Sequence, residues 1–326
     1  MRRTRGRWTV GVLAGALLLG ACGDPEGDAG SATSTPYAPS PSPGSRSPGL
    51  SASAPAAPVP SVSASSSPAP PAAAPSASAS RKAPTVLYLG DSLAMENQKV
   101  LGEELRRELG ARYTGAPYSG TTLCDYLEGT AERSLVPDED KAAALVREVR
   151  PDVVVLQFWG NAWGYTPCMD GITYDTSRAR YFDRYASDAR ALTGQIAAAG
   201  GDRRPTVVWV LQGPDPITPD RVRRVNALYR EQAAAASDAV ADAGGVVSPA
   251  GDRHTWVREL PCTTYERTRP GHCTDPARGR TALHREDDYL HFCLAPTTSE
   301  PKPCPVRSPG ILRMVREITR AVGALR

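Results

Sequence analysis

The chain has 326 residues, of which 22% are charged and 6% aromatic. Its formal net charge is +3, and removing the four arginines at positions 2, 3, 5 and 7 from that total leaves −1. A nearly neutral chain has no broad electrostatic attraction for nucleic acid, so we expect no nucleic-acid partner.

Residues 1–21 have the pattern of a secretory signal peptide. A basic start is followed by the apolar stretch Trp8 to Gly20, which is shorter than a membrane-spanning helix requires. The stretch ends in Leu19-Gly20-Ala21-Cys22, and these residues resemble the lipobox of bacterial lipoproteins, in which the cysteine is lipidated. We therefore expect export to the outer face of the bacterial cell membrane, with lipidated Cys22 as the only membrane attachment. An ordinary signal peptide with a chance cysteine is the alternative.

Residues 22–82 consist, after Cys22, almost entirely of Ser, Ala, Pro, Gly and Thr. Such a segment has too few large apolar side chains to offset the conformational entropy that folding removes. We predict a disordered tether over residues 22–82 and one folded domain over residues 83–326.

Apolar runs alternate with amphipathic stretches along the folded part. Strands are predicted at residues 85–89, 111–118, 152–158, 206–211 and 245–247. Helices are predicted at residues 94–109, 138–149, 176–199, 219–236 and 311–324. This alternation is typical of an α/β domain in which helices cover both faces of a mostly parallel sheet.

The first predicted strand ends in Gly90-Asp91-Ser92-Leu93, and a helix follows at once. Ser92 therefore lies beyond the carboxyl end of a strand, where open α/β sheets bind ligands. It also lies at a helix N-terminus, whose free N–H groups can face a developing anion. Ser92 is thus a candidate nucleophile. The alternative is that Asp91 or Ser92 only caps the helix.

A nucleophilic serine needs a base, and that base needs an orienting group. The chain contains four histidines: His254, His272, His284 and His291. Only His291 has a carboxylate at a short spacing in a suitable setting, since Asp288 lies three residues before it in the loop that precedes the last predicted helix. Glu286 and Asp287 are competitors of Asp288 for the orienting role. We expect the other three histidines to be solvated loop residues.

Two residues beyond strand ends are candidate donors to an oxyanion. Gly120 follows the second predicted strand and offers a backbone N–H, and Asn161 follows the third and offers a side-chain amide. The alternatives are a plain turn glycine and an Asx-turn. Trp159 and Trp163 flank Asn161. Three interpretations of these rings are open: they stack on a sugar, they line an acyl pocket, or they belong to the core.

The order of Ser92, Gly120, Asn161 and the pair Asp288 and His291 resembles the four motif blocks of the SGNH (GDSL) hydrolase family. The resemblance covers about residues 85–325 and implies a flavodoxin-like, three-layer α/β/α sandwich. It implies Ser92 as nucleophile, His291 as general acid and base, and Asp288 as its orienter. The implied oxyanion donors are the N–H groups of Ser92 and Gly120 and the side chain of Asn161.

The third block departs from the family pattern, which is usually Gly-x-Asn-Asp. Here Gly160 directly precedes Asn161, and Ala162 replaces the aspartate. The amide donor is retained, but the loop around it differs.

We therefore expect a surface-anchored, monomeric serine hydrolase that cleaves an ester through an acyl-serine intermediate, without cofactor or metal. Members of the family that match its motif blocks only loosely include carbohydrate O-acyl esterases, O-acyltransferases and lipases. The expected partner is therefore an acyl ester, carried by an acylated polysaccharide or a lipid. The alternatives are transfer of the acyl group to a cell-envelope sugar and a catalytically silent domain that binds carbohydrate.

Six of the seven cysteines remain once Cys22 is set aside, and an even number in an exported protein indicates disulfides. The absence of a Cys-x-x-Cys pair argues against the alternative, a zinc site. We predict sequential pairing: Cys124–Cys168, Cys262–Cys273 and Cys293–Cys304. The first bridge would join the loops of Gly120 and Asn161, and the third would restrict the loop that carries His291.

Overall fold

The computed structural model describes residues 82–249, 255–296 and 302–326. The predicted signal peptide, Cys22, nearly all of the predicted tether and His254 lie outside the described residues. Within the described ranges, no helix combines the length and the apolar character needed to cross a membrane.

Five parallel strands form the central sheet, in the order β2-β1-β3-β4-β5. The strands are β1 (Thr85–Gly90), β2 (Arg112–Gly115), β3 (Val153–Gln157), β4 (Thr206–Val210) and β5 (Ala239–Ala241). The chain runs from β1 outward to β2 and then returns to β3 on the other side of β1. Such a reversal opens a crevice at the carboxyl ends of the two central strands, and this is where α/β sheets bind ligands. Gly90 of β1 pairs with Gln157 of β3 at that edge.

Helices cover both faces of the sheet. The helices α1 (Ser92–Leu109) and α6 (Pro309–Gly323) pack on one face. The other face is covered by α2 (Ala142–Val149), α3 (Arg178–Gly200) and α4 (Pro219–Ala236). Successive side chains of a strand point to opposite faces, and in β1 Leu87 and Leu89 join one core while Val86 and Tyr88 join the other. The predicted three-layer α/β/α sandwich is confirmed.

The predicted fifth strand is wrong. Gly245–Val247 is a 3₁₀ helix, and the fifth strand is Ala239–Ala241, which begins directly after α4 and pairs with β4. The carboxylate of Asp242 accepts a hydrogen bond from the N–H of Gly245 at 3.0 Å. This contact turns the chain immediately after β5, so the Gly-Val-Val run that follows cannot extend the sheet.

A small hairpin lies between β5 and α6. It consists of β6 (Glu259–Pro261) and β7 (Arg280–Ala282), which are antiparallel, and the short helix α5 (Thr264–Arg267) lies between them. None of the predicted strands and helices falls in this region. A disulfide between Cys262 and Cys273 cross-links the segment between the two strands.

The first and last described residues lie at the amino edge of the sheet. The guanidinium of Arg326 donates to the carbonyl of Lys82 at 2.8 Å and to that of Leu109 at 3.3 Å. Lys82 precedes β1, whereas Ser92 follows β1 at its other end. The chain therefore enters the domain at the edge opposite the crevice.

Candidate active site

Ser92 is the first residue of α1 and is half-buried. Asp91 caps this helix, because its carboxylate accepts a hydrogen bond from the N–H of Leu93 at 3.0 Å. Gly90 lets the turn approach β3, since a Cβ atom at this position would lie 2.0 Å from the carbonyl oxygen of Gln157. The tight turn places Ser92 over the ends of the two central strands.

The structure brings Ser92, His291 and Asp288 together. The imidazole Nε2 of His291 lies 3.0 Å from Ser92 Oγ, and its Nδ1 lies 3.0 Å from Asp288 Oδ2. A serine, an imidazole and a carboxylate in this order can transfer a proton from the hydroxyl to the ring while the carboxylate stabilises the resulting charge.

The contacts of His291 and Asp288 stabilise the charged form of each side chain. Burial alone would lower the pKa of His291, but the hydrogen bond with Asp288 and the negative charges of Glu96, Asp288 and Asp91 outweigh it, so the pKa is raised. Burial would raise the pKa of Asp288, but its hydrogen bonds with the ring and the backbone of His291 hold that pKa well below its usual range. Asp288 therefore stays ionised beside the ring.

The turn that carries His291 is closed by its own backbone contacts. Asp288 Oδ1 accepts hydrogen bonds from the N–H groups of Leu290 and His291 at 3.1 and 3.0 Å. The competing carboxylates bind elsewhere: Glu286 pairs with Arg258, and Asp287 pairs with Arg285. Asp288 is thus the carboxylate that contacts the imidazole.

The prediction that the remaining histidines are solvated is wrong for two of them. His272 is 7% exposed and His284 is 1% exposed. His284 packs against Phe292 and Trp256, and its Nδ1 lies 3.0 Å from the carbonyl oxygen of His291. This contact makes His284 a support for the His291 loop. Sequence spacing could not reveal it, because the group that His284 contacts is a backbone carbonyl oxygen, which every residue has.

Asp91 has a second role besides capping. Its Oδ2 accepts a hydrogen bond from the N–H of Trp159 at 2.5 Å and lies 3.3 Å from the amide nitrogen of Asn161. Burial raises the pKa of Asp91 to about 6, although the N–H groups of Trp159 and Leu93 and the charge of His291 act in the opposite direction. Asp91 thereby joins the turn after β1 to the loop after β3.

The three predicted oxyanion donors differ in their contacts. The amide nitrogen of Asn161 lies 2.9 Å from the carbonyl oxygen of Thr121 as well as near Asp91, so both of its hydrogens have acceptors. The N–H groups of Ser92 and Gly120 donate to no residue within the described ranges. Gly120 has φ +77°, a conformation that glycine adopts readily. The backbone donors are therefore free to meet an oxyanion, whereas Asn161 would first have to release an acceptor.

Three aromatic rings lead from the core to the surface beside this site. Trp159 is 8% exposed, lies 3.7 Å under the guanidinium of Arg221 and stacks with Trp163, so it belongs to the core. Trp163 is 39% exposed and Tyr165, which stacks on it, is 60% exposed. We call Trp163 and Tyr165 the aromatic platform. Of the two predicted tryptophans, Trp163 is the one with an exposed ring.

The platform is linked to the candidate oxyanion donors. Trp163 Nε1 donates to Asn161 Oδ1 at 3.0 Å, and a Cβ atom at Gly120 would lie 3.5 Å from the ring of Tyr165. Tyr165 was not among the predicted site residues, although it is aromatic and lies two positions after Trp163.

A cleft of about 230 Å³ opens beside Ser92. Its lining includes Ser92, Met95, Glu96, Ser119, Asp288 and His291. A larger groove of about 1030 Å³ runs along α6 and the second half of α1, and none of the predicted site residues lines it. The smaller cleft contains the reactive groups and is the candidate substrate site. Among the described residues, no three His, Cys, Asp or Glu side chains are grouped so as to hold a metal ion.

The six cysteines in the described residues form three disulfides, and these are the predicted pairs: Cys124–Cys168, Cys262–Cys273 and Cys293–Cys304. The first lies in the core and joins the 3₁₀ helix Leu123–Tyr126 to the 3₁₀ helix Pro167–Met169. These helices follow Gly120 and Asn161, so the bridge connects the segments that carry the two candidate donors.

No protein-family model matches the chain. A comparison with curated proteins also finds no match.

Among solved structures, the chain is similar to the crystal structure of TesA, with 15% identity over 74% of this chain and 99% of that one, at a TM-score of 0.42. It is similar to a lipolytic protein of the G-D-S-L family from Desulfitobacterium hafniense, with 11% identity over 73% and 98% of the two chains, at a TM-score of 0.40. A family 3 carbohydrate esterase from Clostridium thermocellum gives 14% identity over 75% and 97%, at a TM-score of 0.41. Likenesses this weak carry no argument about activity.

Proposed function

We propose that this chain is a serine ester hydrolase of the SGNH (GDSL) type. The observation that supports the proposal is the continuous chain of contacts from Ser92 Oγ to His291 Nε2 and from His291 Nδ1 to Asp288, with 3.0 Å at each step. It lies in a cleft at the carboxyl ends of the central strands, and the lining of that cleft includes Ser119, the residue before Gly120. A catalytically silent binding domain would have no need of this alignment.

In the first step, Ser92 Oγ attacks the carbonyl carbon of the ester while His291 Nε2 takes the hydroxyl proton. The electron pair of the carbonyl moves to its oxygen, which accepts hydrogen bonds from the N–H groups of Ser92 and Gly120. The amide of Asn161 donates to it as well once it releases Thr121 or Asp91. The tetrahedral intermediate then collapses. The bond to the alcohol oxygen breaks, His291 donates its proton to that oxygen, and the acyl group remains on Ser92.

In the second step, a water molecule gives its proton to His291 Nε2 and attacks the acyl carbon. Collapse of this intermediate breaks the bond to Ser92 Oγ, which regains the proton, and the carboxylic acid leaves. A sugar hydroxyl in place of water would make the same chemistry an acyl transfer. Product analysis with and without a saccharide acceptor distinguishes the two outcomes.

Substitution of the reacting pair tests this proposal. Ser92→Ala and His291→Ala should each lower kcat by roughly 10⁴-fold or more, because neither member of the pair works without the other. A fluorophosphonate probe should label the wild-type chain at Ser92 alone. If Ser92→Ala still hydrolyses esters and is still labelled, the proposed function fails.

We further propose that the ester joins a short acyl group to a carbohydrate. A cleft of about 230 Å³ is smaller than the roughly 300–1,000 Å³ of pockets for drug-sized ligands and suits a short acyl chain. The aromatic platform offers exposed ring surface next to Gly120, and sugar rings pack well on such faces. The carbohydrate would thus form the alcohol side of the ester.

The proposed setting of the enzyme is the outer face of the bacterial cell membrane, with lipid attached at Cys22. The support is the Leu19-Gly20-Ala21-Cys22 sequence after an apolar stretch. Cys22→Ser should remain unprocessed or leave the membrane fraction of cells that express the full chain. If the variant is processed and partitions into membranes like the wild type, this part of the proposal is wrong.

A further inference from the structure

Glu96 is a buried carboxylate one helical turn after the nucleophile. It is 5% exposed and lies on α1, four residues from Ser92 and therefore on the same helix face. Its Oε1 accepts a hydrogen bond from the N–H of Phe292 at 2.9 Å, and its Oε2 accepts one from the N–H of Cys293 at 3.1 Å. These are the two peptide groups that directly follow His291.

A carboxylate in this position is costly unless its oxygens are satisfied, because burial removes the water that would solvate its charge. Capping and packing do not require it here, since Asp91 caps the helix and apolar residues of α1 form the core contacts. Its oxygens instead contact Phe292 and Cys293 in the loop that carries His291, and these residues lie 196 and 197 positions after Glu96 in the sequence. The geometry therefore indicates a role in that loop.

The backbone of Glu96 contacts the same loop from a second side. Its carbonyl oxygen accepts a hydrogen bond from the N–H of Cys304 at 3.1 Å, and Cys304 is bridged to Cys293. Both cysteines of this disulfide are thus hydrogen-bonded to one residue of α1. The helix that positions Ser92 also holds the residues after His291.

We propose that Glu96 is a positioning residue for the general base, whose carboxylate holds the two peptide groups after His291 and so sets the distance between the imidazole and Ser92. This inference rests on the proposed function. Glu96 does not touch the reacting atoms and acts through the loop.

Glu96 also influences the charge of His291. Burial raises the pKa of Glu96 to about 7, while the charge of His291 and the two N–H groups oppose that rise. The negative charge of Glu96 in turn raises the pKa of His291. Among the described residues, Tyr88, Asp288 and Lys302 also interact with Glu96 or line the same cleft. The charge of Asp91 acts on His291 as well.

Two substitutions distinguish the positioning role of Glu96 from the effect of its negative charge. Glu96→Gln keeps the length of the side chain and one accepting oxygen, but it removes the charge. Glu96→Asp keeps the charge but is one methylene too short to reach both N–H groups. Both should lower kcat by roughly 10- to 100-fold with KM nearly unchanged, because small misplacement of a catalytic group has effects of this size. Only Glu96→Gln should also move the acid limb of the pH profile of kcat/KM to lower pH.

The matched control is Glu103→Gln on the exposed side of the same helix, which should leave both kcat and the pH profile unchanged. Thermal unfolding of each variant measures the folded fraction. The inference is overturned if Glu96→Gln keeps the wild-type kcat and acid limb, or if its loss of activity equals its loss of folded protein. Ser92→Ala distinguishes failure of this inference from failure of the proposed function. If Ser92→Ala is inactive and Glu96→Gln behaves as the wild type, only the inference about Glu96 fails. If Ser92→Ala is active, the proposed function fails.

Discussion

The carboxylate of Asp91 lies 3.3 Å from the amide nitrogen of Asn161, across the crevice between the ends of β1 and β3. The same carboxylate accepts hydrogen bonds from the N–H groups of Leu93 and Trp159. One buried side chain therefore connects the turn of the nucleophile with the loop of the candidate donor. Movement of either segment would disturb the other.

Asn161→Ala should lower kcat by roughly 10² to 10³-fold with little change in KM, as expected for the loss of a group that stabilises the transition-state oxyanion. Steady-state kinetics on a short-chain ester measures both constants. Since both amide hydrogens have acceptors in the structure, the side chain has to release Thr121 or Asp91 to act in this way. A change confined to KM would show that Asn161 binds substrate and that the backbone N–H groups serve the oxyanion alone.

The acid limb of the pH profile should lie above pH 6.5, the ordinary pKa of histidine. His291 acts as a base only when its ring is neutral, so activity falls as pH drops through its pKa, which is raised here. Asp288→Asn removes the strongest favourable contact of the imidazolium and should shift the limb to lower pH while lowering kcat. Initial rates from pH 5 to 9 test both statements, and a wild-type limb below 6.5 would contradict the first.

Two disulfides offer a matched comparison, because Cys262–Cys273 and Cys293–Cys304 each join cysteines 11 residues apart. Removing either with paired alanine substitutions should cost about 3 kcal/mol of stability, from the added entropy of the unfolded chain. Only the loss of Cys293–Cys304 should also lower kcat, since this bridge adjoins His291 and Glu96. Thermal melts and kinetics of both double variants decide the matter. An equal fall in kcat for both would mean that stability alone accounts for the effect.

Tyr165→Ala should raise KM for an acetylated oligosaccharide by about 10-fold, or ~1.4 kcal/mol, and leave KM for ethyl acetate unchanged. The expected selectivity follows from the place of Tyr165 on the aromatic platform, outside the chain of reacting groups. Ile217→Ala removes another exposed apolar side chain and serves as the control. Equal increases for both esters would indicate that Tyr165 maintains the shape of the site.

The strands that could be predicted are those whose side chains are buried on both faces. Val153–Gln157 and Thr206–Val210 are nearly continuous apolar runs, and such runs are typical of central parallel strands. Ala239–Ala241 was missed, because three small residues at the sheet edge form no such run. The hairpin of β6 and β7 depends on pairing across about 20 residues, and local pattern carries little information about such contacts.

The reactive groups of the site were recognisable because their chemistry limits the choice of residue. Only His291 of the four histidines has a carboxylate three positions before it, in the loop before the last helix. Glu96 could not be found in the same way, since glutamate is common on helices and the groups it binds are backbone N–H groups. Every residue except proline has such a donor, so no sequence signal marks Phe292 or Cys293 as its partners.

The contact between Arg326 and Lys82 at the amino edge of the sheet has a practical consequence for attaching the domain to a solid support. Ser92 lies at the other end of β1, a strand of six residues that spans roughly 20 Å. A bead, resin or electrode coupled through residues before Lys82 would therefore hold the domain from the edge opposite the cleft. Immobilisation in this orientation should leave the cleft facing away from the support.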